Sequence, residues 1–188
     1  MERSFEAVLV EQCATTLAGV KPASLFRYQG ADKRQPREAA ARWAKELAPY
    51  GITVRILKVC PQTGACLIYL YRAGWLRSIL SEPSTRAFLA GQGYGADQSC
   101  QELLRQLSRR LCLEREFPHE IGVFLGYPLE DVVGFIRNRG RNYTCCGYWK
   151  AYGDPEAAQK RFDQYRRCTA ACCEQFRKGT AITQLIAA

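Results

Sequence analysis

The chain has a single histidine, His119, and ten cysteines, several of them in groups: Cys145 beside Cys146, and Cys168 followed by Cys172 and Cys173. Thiolates and imidazole are ligands for zinc and iron, and structural centres of this kind are four-coordinate. The grouping therefore suggests a metal centre, holding zinc or iron (iron–sulfur included), built from Cys145, Cys146 and Cys168, with His119 or Cys172 as fourth ligand. Neighbouring side chains diverge, so only one of Cys145 and Cys146 need be a ligand. The plainer reading of the same thiols is small apolar core residues.

The same residues suit nucleophilic catalysis. Cys145 or Cys146 would be the nucleophile, His119 its base, and Glu120 or Asp131 the carboxylate that orients the base. A third reading uses charge. Arg137, Arg139, Arg141 and Lys150 gather with Tyr143, Tyr148, Trp149 and Tyr152 in one short stretch. Arginine and lysine interleaved with aromatic rings can stack bases or planar cofactors such as haem or flavin, so the stretch could engage nucleic acid or an acidic protein. The structural alternative is that cations here complement the C-terminal end of a helix.

These residues have to be positioned by helices and a small sheet. At 188 residues the expectation is one domain, residues 1–188. Apolar periodicity predicts helices near 4–17, 36–47, 97–111, 128–138 and 154–178, with short ones near 75–80 and 84–90. Strands are expected at 23–28, 52–59, 65–71 and 120–125, the middle two joined as a hairpin through Cys60-Pro61-Gln62-Thr63-Gly64. The fold class is thus α+β: a small mixed sheet of about four strands with one hairpin, packed with several helices. The helix opening at Pro128 would suit an anion at its start. Glu130 and Asp131 in its first turn oppose that and move the expected chemistry to its far end, beside Gly140.

Lys and Arg number 27 against 18 Asp and Glu, a net charge of +9, which favours acidic partners: an anionic ligand or cofactor, nucleic acid, or an acidic or redox protein. No nucleic-acid motif is present, and the charge is scattered without a long basic run. No stretch has the length and apolarity of a membrane span, and the first residues lack the pattern of a secretory leader, so a cytoplasmic protein with reduced thiols is expected.

The strings Phe117-Pro118-His119-Glu120-Ile121-Gly122, Leu125-Gly126-Tyr127-Pro128-Leu129-Glu130-Asp131-Val132, Asn138-Arg139-Gly140, Cys145-Cys146-Gly147, Trp149-Lys150 and Tyr152-Gly153-Asp154 resemble an uncharacterised bacterial family, domain of unknown function 3793. The opening Cys13-Ala14-Thr15-Thr16-Leu17-Ala18-Gly19 resembles it too, so the likeness covers nearly the whole chain. It implies a link to metal or redox handling and carries no catalytic residue with it.

Overall fold

A computed structural model describes residues 3–114 and 116–187. The chain divides into two compact units, one running to Gly74 and resuming at Arg167, the other Trp75–Arg166.

The first unit begins with α1 (Phe5–Leu17), which the Ser4 hydroxyl caps by accepting from the Ala7 amide at 3.2 Å. Strand β1 (Ala23–Tyr28), helix α2 (Gln35–Leu47) and strands β2 (Ile52–Val59) and β3 (Cys66–Arg72) follow. The sheet order is β1-β3-β2, every pairing antiparallel, with Tyr28 opposite Cys66 and Ile52 opposite Arg72. The expected hairpin is present and closes with the Cys60 amide on the Ala65 carbonyl at 2.8 Å. Alternation along β3 puts Cys66, Ile68 and Leu70 into the core with Phe5, Leu9 and Leu17 of α1. Tyr69 and Tyr71 point to the opposite face, stacked with ring centroids 4.9 Å apart. The end of α1 is tied to β3 by Arg72, whose guanidinium donates to the Thr16 and Leu17 carbonyls at 2.9 and 2.7 Å. These carbonyls have no partner within the helix, and a cation there complements its dipole.

One polar group is built into this core. The Cys13 thiol is fully buried, hydrogen-bonds Ser24 and lies near Lys21, and Ser24 in turn shares a 2.8 Å hydrogen bond with Thr16. Burial pushes the Lys21 ammonium down from its ordinary 10.5 to about 8, against the opposing influence of Cys13. Below pH 8 folded and unfolded chains both hold this proton, and the cost of burying the charge, on the order of 3 kcal/mol, is fully present. Between about 8 and 10.5 the unfolded chain binds more protons, so Lys21 makes stability rise with pH there. Cys13 acts the other way above pH 9, because burial keeps its thiol protonated while the unfolded one ionises. Urea midpoints taken from pH 7 to 9 are expected to climb more in the native chain than in Lys21→Met. A native slope equal to or below that of the variant would contradict this.

The second unit takes up the chain within α3 (Ala73–Ser81) and continues through α4 (Pro83–Gly91), α5 (Cys100–Leu113), α6 (Ile121–Phe124) and α7 (Leu129–Asn138). A small antiparallel sheet of β4 (Cys145–Cys146) and β5 (Lys150–Ala151) comes next, and α8 (Pro155–Arg177) contributes its residues up to Arg166. Leu103, Leu104, Leu107 and Leu111 of α5 are buried, as their spacing predicts.

Two expectations need correction. The sheet of the first unit is antiparallel, not mixed, and has three strands. The fourth strand expected at 120–125 is helical, with the amides of Ile121, Gly122 and Val123 bonded to the carbonyls of Pro118, His119 and Glu120. A five-residue apolar run carries no period that separates strand from helix. Gly122 settles it by packing: a Cβ there would stand 2.8 Å from Val132 Cγ2, so α6 rests directly on α7.

Candidate functional site

The far end of α7 collects the cations. The helix stops where Arg139 (φ 51°) and Gly140 (φ 70°) enter the left-handed region. There the Arg139 and Gly140 amides return to the Ile136 and Phe135 carbonyls at 3.3 and 2.9 Å. This turns the chain sharply and leaves Arg139 and Arg141 on either side of Gly140.

Lys150, on β5, reaches this turn from across the loop. Its Nζ donates to the Gly140 carbonyl at 2.8 Å and stands 4.9 Å from the Tyr143 ring centroid and 6.0 Å from that of Phe135. The His119 ring packs on Phe135 with centroids 4.8 Å apart, and its centroid is 6.1 Å from that of Phe117. His119, Phe135, Gly140, Tyr143 and Lys150 thus form one connected surface. Phe117 and Tyr143 are half exposed, at 50% and 46%. Arg137, Arg139 and Arg141 are exposed, and among the described residues none of them, nor Lys150, is in an ion pair. The carboxylates of α7 are in its first turn, and this helix of 10 residues is about 15 Å long.

Asp131 holds the loop in place. It is 4% exposed and accepts from Trp149 Nε1 at 2.7 Å and from the Tyr152 and Gly153 amides at 2.6 and 3.2 Å. Trp149 is clamped in turn, stacked on Tyr127 at 4.9 Å and edge-on to Phe162 at 4.6 Å. Glycines permit the close approach. A Cβ at Gly134 would lie 2.5 Å from the Tyr152 ring, and one at Gly147 would lie 2.4 Å from that of Phe162. These contacts anchor the chain on either side of β5, the strand that carries Lys150.

The sequence-derived site residues separate into distinct places. In the β4–β5 ladder Cys146 is opposite Lys150 and Cys145 opposite Ala151, so Cys146 shares a face of the hairpin with Lys150. Cys145 faces the other way, its thiol donating to Gln159 Oε1 at 3.7 Å. His119 makes its ring contacts with Phe117 and Phe135, and among the described residues no hydrogen bond joins it to a thiol or carboxylate. Glu120, adjacent in sequence, is buried and engaged elsewhere: Tyr94 Oη donates to it at 2.9 Å and Arg110 Nη1 at 2.6 Å. Asp131 is committed to Trp149 and the loop amides. Cys168 and Cys172 belong to the first unit, where the Cys168 thiol donates to the Ala14 carbonyl at 3.8 Å and Cys172 is 7% exposed. Among the described residues no group of three or more His, Cys, Asp or Glu side chains is placed to hold a metal ion, so the donors of a four-coordinate zinc or iron centre are not assembled there. Nor is any helix among them long and apolar enough to cross a membrane.

Sequence reasoning missed the parts played by Tyr94, Arg110 and Phe135. Helical spacing reads Arg110 as facing solvent, whereas its side chain is 23% exposed and pairs with the buried Glu120. Phe135 carried no signal beyond helical periodicity. A family model described as "Protein of unknown function (DUF3793)" matches residues 9–186. No curated protein and no solved structure matches the chain.

Proposed function

This chain belongs to the DUF3793 family, and we propose that its unit Trp75–Arg166 is a binding module for a small anionic ligand with a flat apolar part, such as a phosphorylated aromatic compound. The observation that carries this reading is the group of unpaired cations beside exposed rings at the C-terminal end of α7. Arg139 and Arg141 flank the Gly140 carbonyl on which Lys150 rests, and Tyr143 and Phe135 lie within 6.0 Å of the same ammonium. Lys150 uses one of its three donors on Gly140, so two remain for an anion. Arginine supplies a planar fork that matches phosphate and carboxylate oxygens. The half-exposed Tyr143 ring offers a face for stacking.

Adenosine monophosphate is a suitable probe because it has both features, with inorganic phosphate as the control that lacks the flat group. Each charge-assisted hydrogen bond to the anion contributes about 1.5 kcal/mol, roughly tenfold in affinity. Calorimetry is expected to show saturable binding of the nucleotide, weakened about tenfold in Lys150→Met and further in the double variant R139Q/R141Q. Equal affinity in all of these chains would refute the site, and tighter binding of a single-stranded oligonucleotide than of the mononucleotide would transfer it to nucleic acid.

A further inference from the structure

A groove of about 640 Å³ runs along α5, beside its buried leucines and within the unit Trp75–Arg166. Residues four apart share a helix face, and Arg105, Arg109 and Leu113, one turn after another, line one side of it. The link from α4 to α5 lines it too, with Gln92, Gly93 and Gln98. Hydrogen bonds tie this link to the helix: Gln106 Nε2 donates to the Gly93 carbonyl at 2.8 Å and Arg110 Nη1 to that of Gln92 at 3.0 Å. Arg86 Nη1 donates to the Gln98 carbonyl at 2.6 Å and holds the link a second time. The groove is therefore preformed.

Its volume is that of a small-molecule site, usually about 300–1,000 Å³, but its lining is not the usual apolar and aromatic one. Among the described residues no aromatic ring lines it, and Leu113 is its one apolar side chain. The lining holds three arginines against two carboxylates, and both carboxylates are engaged. Glu102 accepts from the Ser99 amide and hydroxyl at 2.8 and 2.7 Å, and Glu114 from Arg110 Nε at 2.8 Å. Arg110 also donates to Glu120 at 2.6 Å. Arg105 and Arg109 are exposed, and among the described residues neither is in an ion pair. Like charges four apart on a helix oppose its formation. The helix dipole does not account for them, since it favours cations in the last turn, where Arg110 is the basic residue.

We infer that this groove binds a small aliphatic anion with two or more carboxylates. A guanidinium fork takes one carboxylate through two parallel N–H···O bonds. Two unpaired forks one turn apart, with about 5–6 Å between their Cβ atoms, suit two carboxylates of one ligand. The start of α5 offers no amide cradle for phosphate, because Ser99 and Glu102 already cap it. The glutamines suit a ligand hydroxyl. Among the described residues the Gln92 side chain makes no hydrogen bond, Gln98 spends only its oxygen, on the Gly95 amide at 3.0 Å, and Gln106 only its nitrogen. The groove shares no residue with the anion surface on α7 and, having no ring, selects a different ligand.

The test is calorimetry at constant ionic strength with citrate, which has three carboxylates and a hydroxyl, and with acetate as the control that has one carboxylate. Citrate is expected to bind the native chain at one site, about tenfold more weakly in R105Q and in R109Q, and undiminished in R139Q/R141Q. Acetate is expected to show no saturable binding. Both single substitutions are at exposed positions, and circular dichroism checks that each variant is folded. Resonances followed during the citrate titration are expected to shift at Gln92, Arg105, Gln106 and Arg109, a reading that needs no variant. Absence of saturable citrate binding, equal affinity in R105Q, R109Q and the native chain, acetate binding as tight as that of citrate, or shifts confined to Arg139, Gly140 and Lys150 would each overturn the inference.

Discussion

Replacing Asp131 by alanine is expected to lower the stability of the unit Trp75–Arg166 by about 3–5 kcal/mol, one of the two largest effects the structure implies. The carboxylate is 4% exposed and is the acceptor for Trp149 Nε1 and the amides of Tyr152 and Gly153. Truncation leaves these donors facing one another with no acceptor between them. Each such buried donor costs about 1–3 kcal/mol, and the void left by the carboxylate adds to that. Asp131→Asn should be milder, since its amide oxygen still accepts but its nitrogen cannot. Trp149→Phe removes one of the donors, so W149F combined with D131A should cost less than the two single losses added together. Urea unfolding gives the stabilities, and hydrogen exchange at Tyr152 and Gly153 gives the local effect: both amides should exchange faster in Asp131→Ala. A loss below about 1 kcal/mol, no more than an ordinary surface change, would show that the loop is held by other means.

The second large effect belongs to Arg110. Its guanidinium donates to Glu120 at 2.6 Å, to Glu114 at 2.8 Å and to the Gln92 carbonyl at 3.0 Å, and it stands 5.2 Å from the centroid of the Tyr94 ring. Glu120 is 3% exposed, and Tyr94 is its other partner. Arg110→Met therefore strands a carboxylate in the interior, a change that costs about 3–5 kcal/mol when one member of a buried pair is removed. Removing the carboxylate as well should recover most of the loss, because a buried ion pair is weak in net stability even when breaking it is costly. The double variant R110M/E120M is thus expected to be more stable than R110M alone in urea unfolding. If the double variant is the less stable of the two, Glu120 is not the group that Arg110 neutralises.

Much of the helical framework could be read from the sequence because its signals are local. Ser4 before an apolar stripe marked α1, and the leucines from Leu103 to Leu111 marked α5. The hairpin of β2 and β3 was legible from β-rich runs on either side of a Pro- and Gly-containing loop. Helix α6 was misread because Ile121 to Leu125 is apolar at every position except Gly122, and only the packing of that glycine on Val132 decides its form. Strands β4 and β5 span two residues each and have no period to detect.

The candidate site was legible in part. The cations around Gly140 were visible as a cluster, and the turn at Arg139 and Gly140 that presents them follows from a helix ending at a glycine. The place of His119 was not, since it depends on Phe135 sixteen residues on. Asp131 was read as a carboxylate complementing the helix dipole, because its bonds run to Trp149, Tyr152 and Gly153, which lie 18–22 residues away in the chain.

The anion surface is tested most directly by following the backbone and side-chain resonances of the chain while adenosine monophosphate is added. The account predicts saturable shifts concentrated at Phe135, Arg139, Gly140, Arg141, Tyr143 and Lys150, with smaller ones from inorganic phosphate at the same positions. Shifts that are absent, or that saturate at residues elsewhere in the chain and leave Lys150 and Tyr143 unmoved, would contradict it.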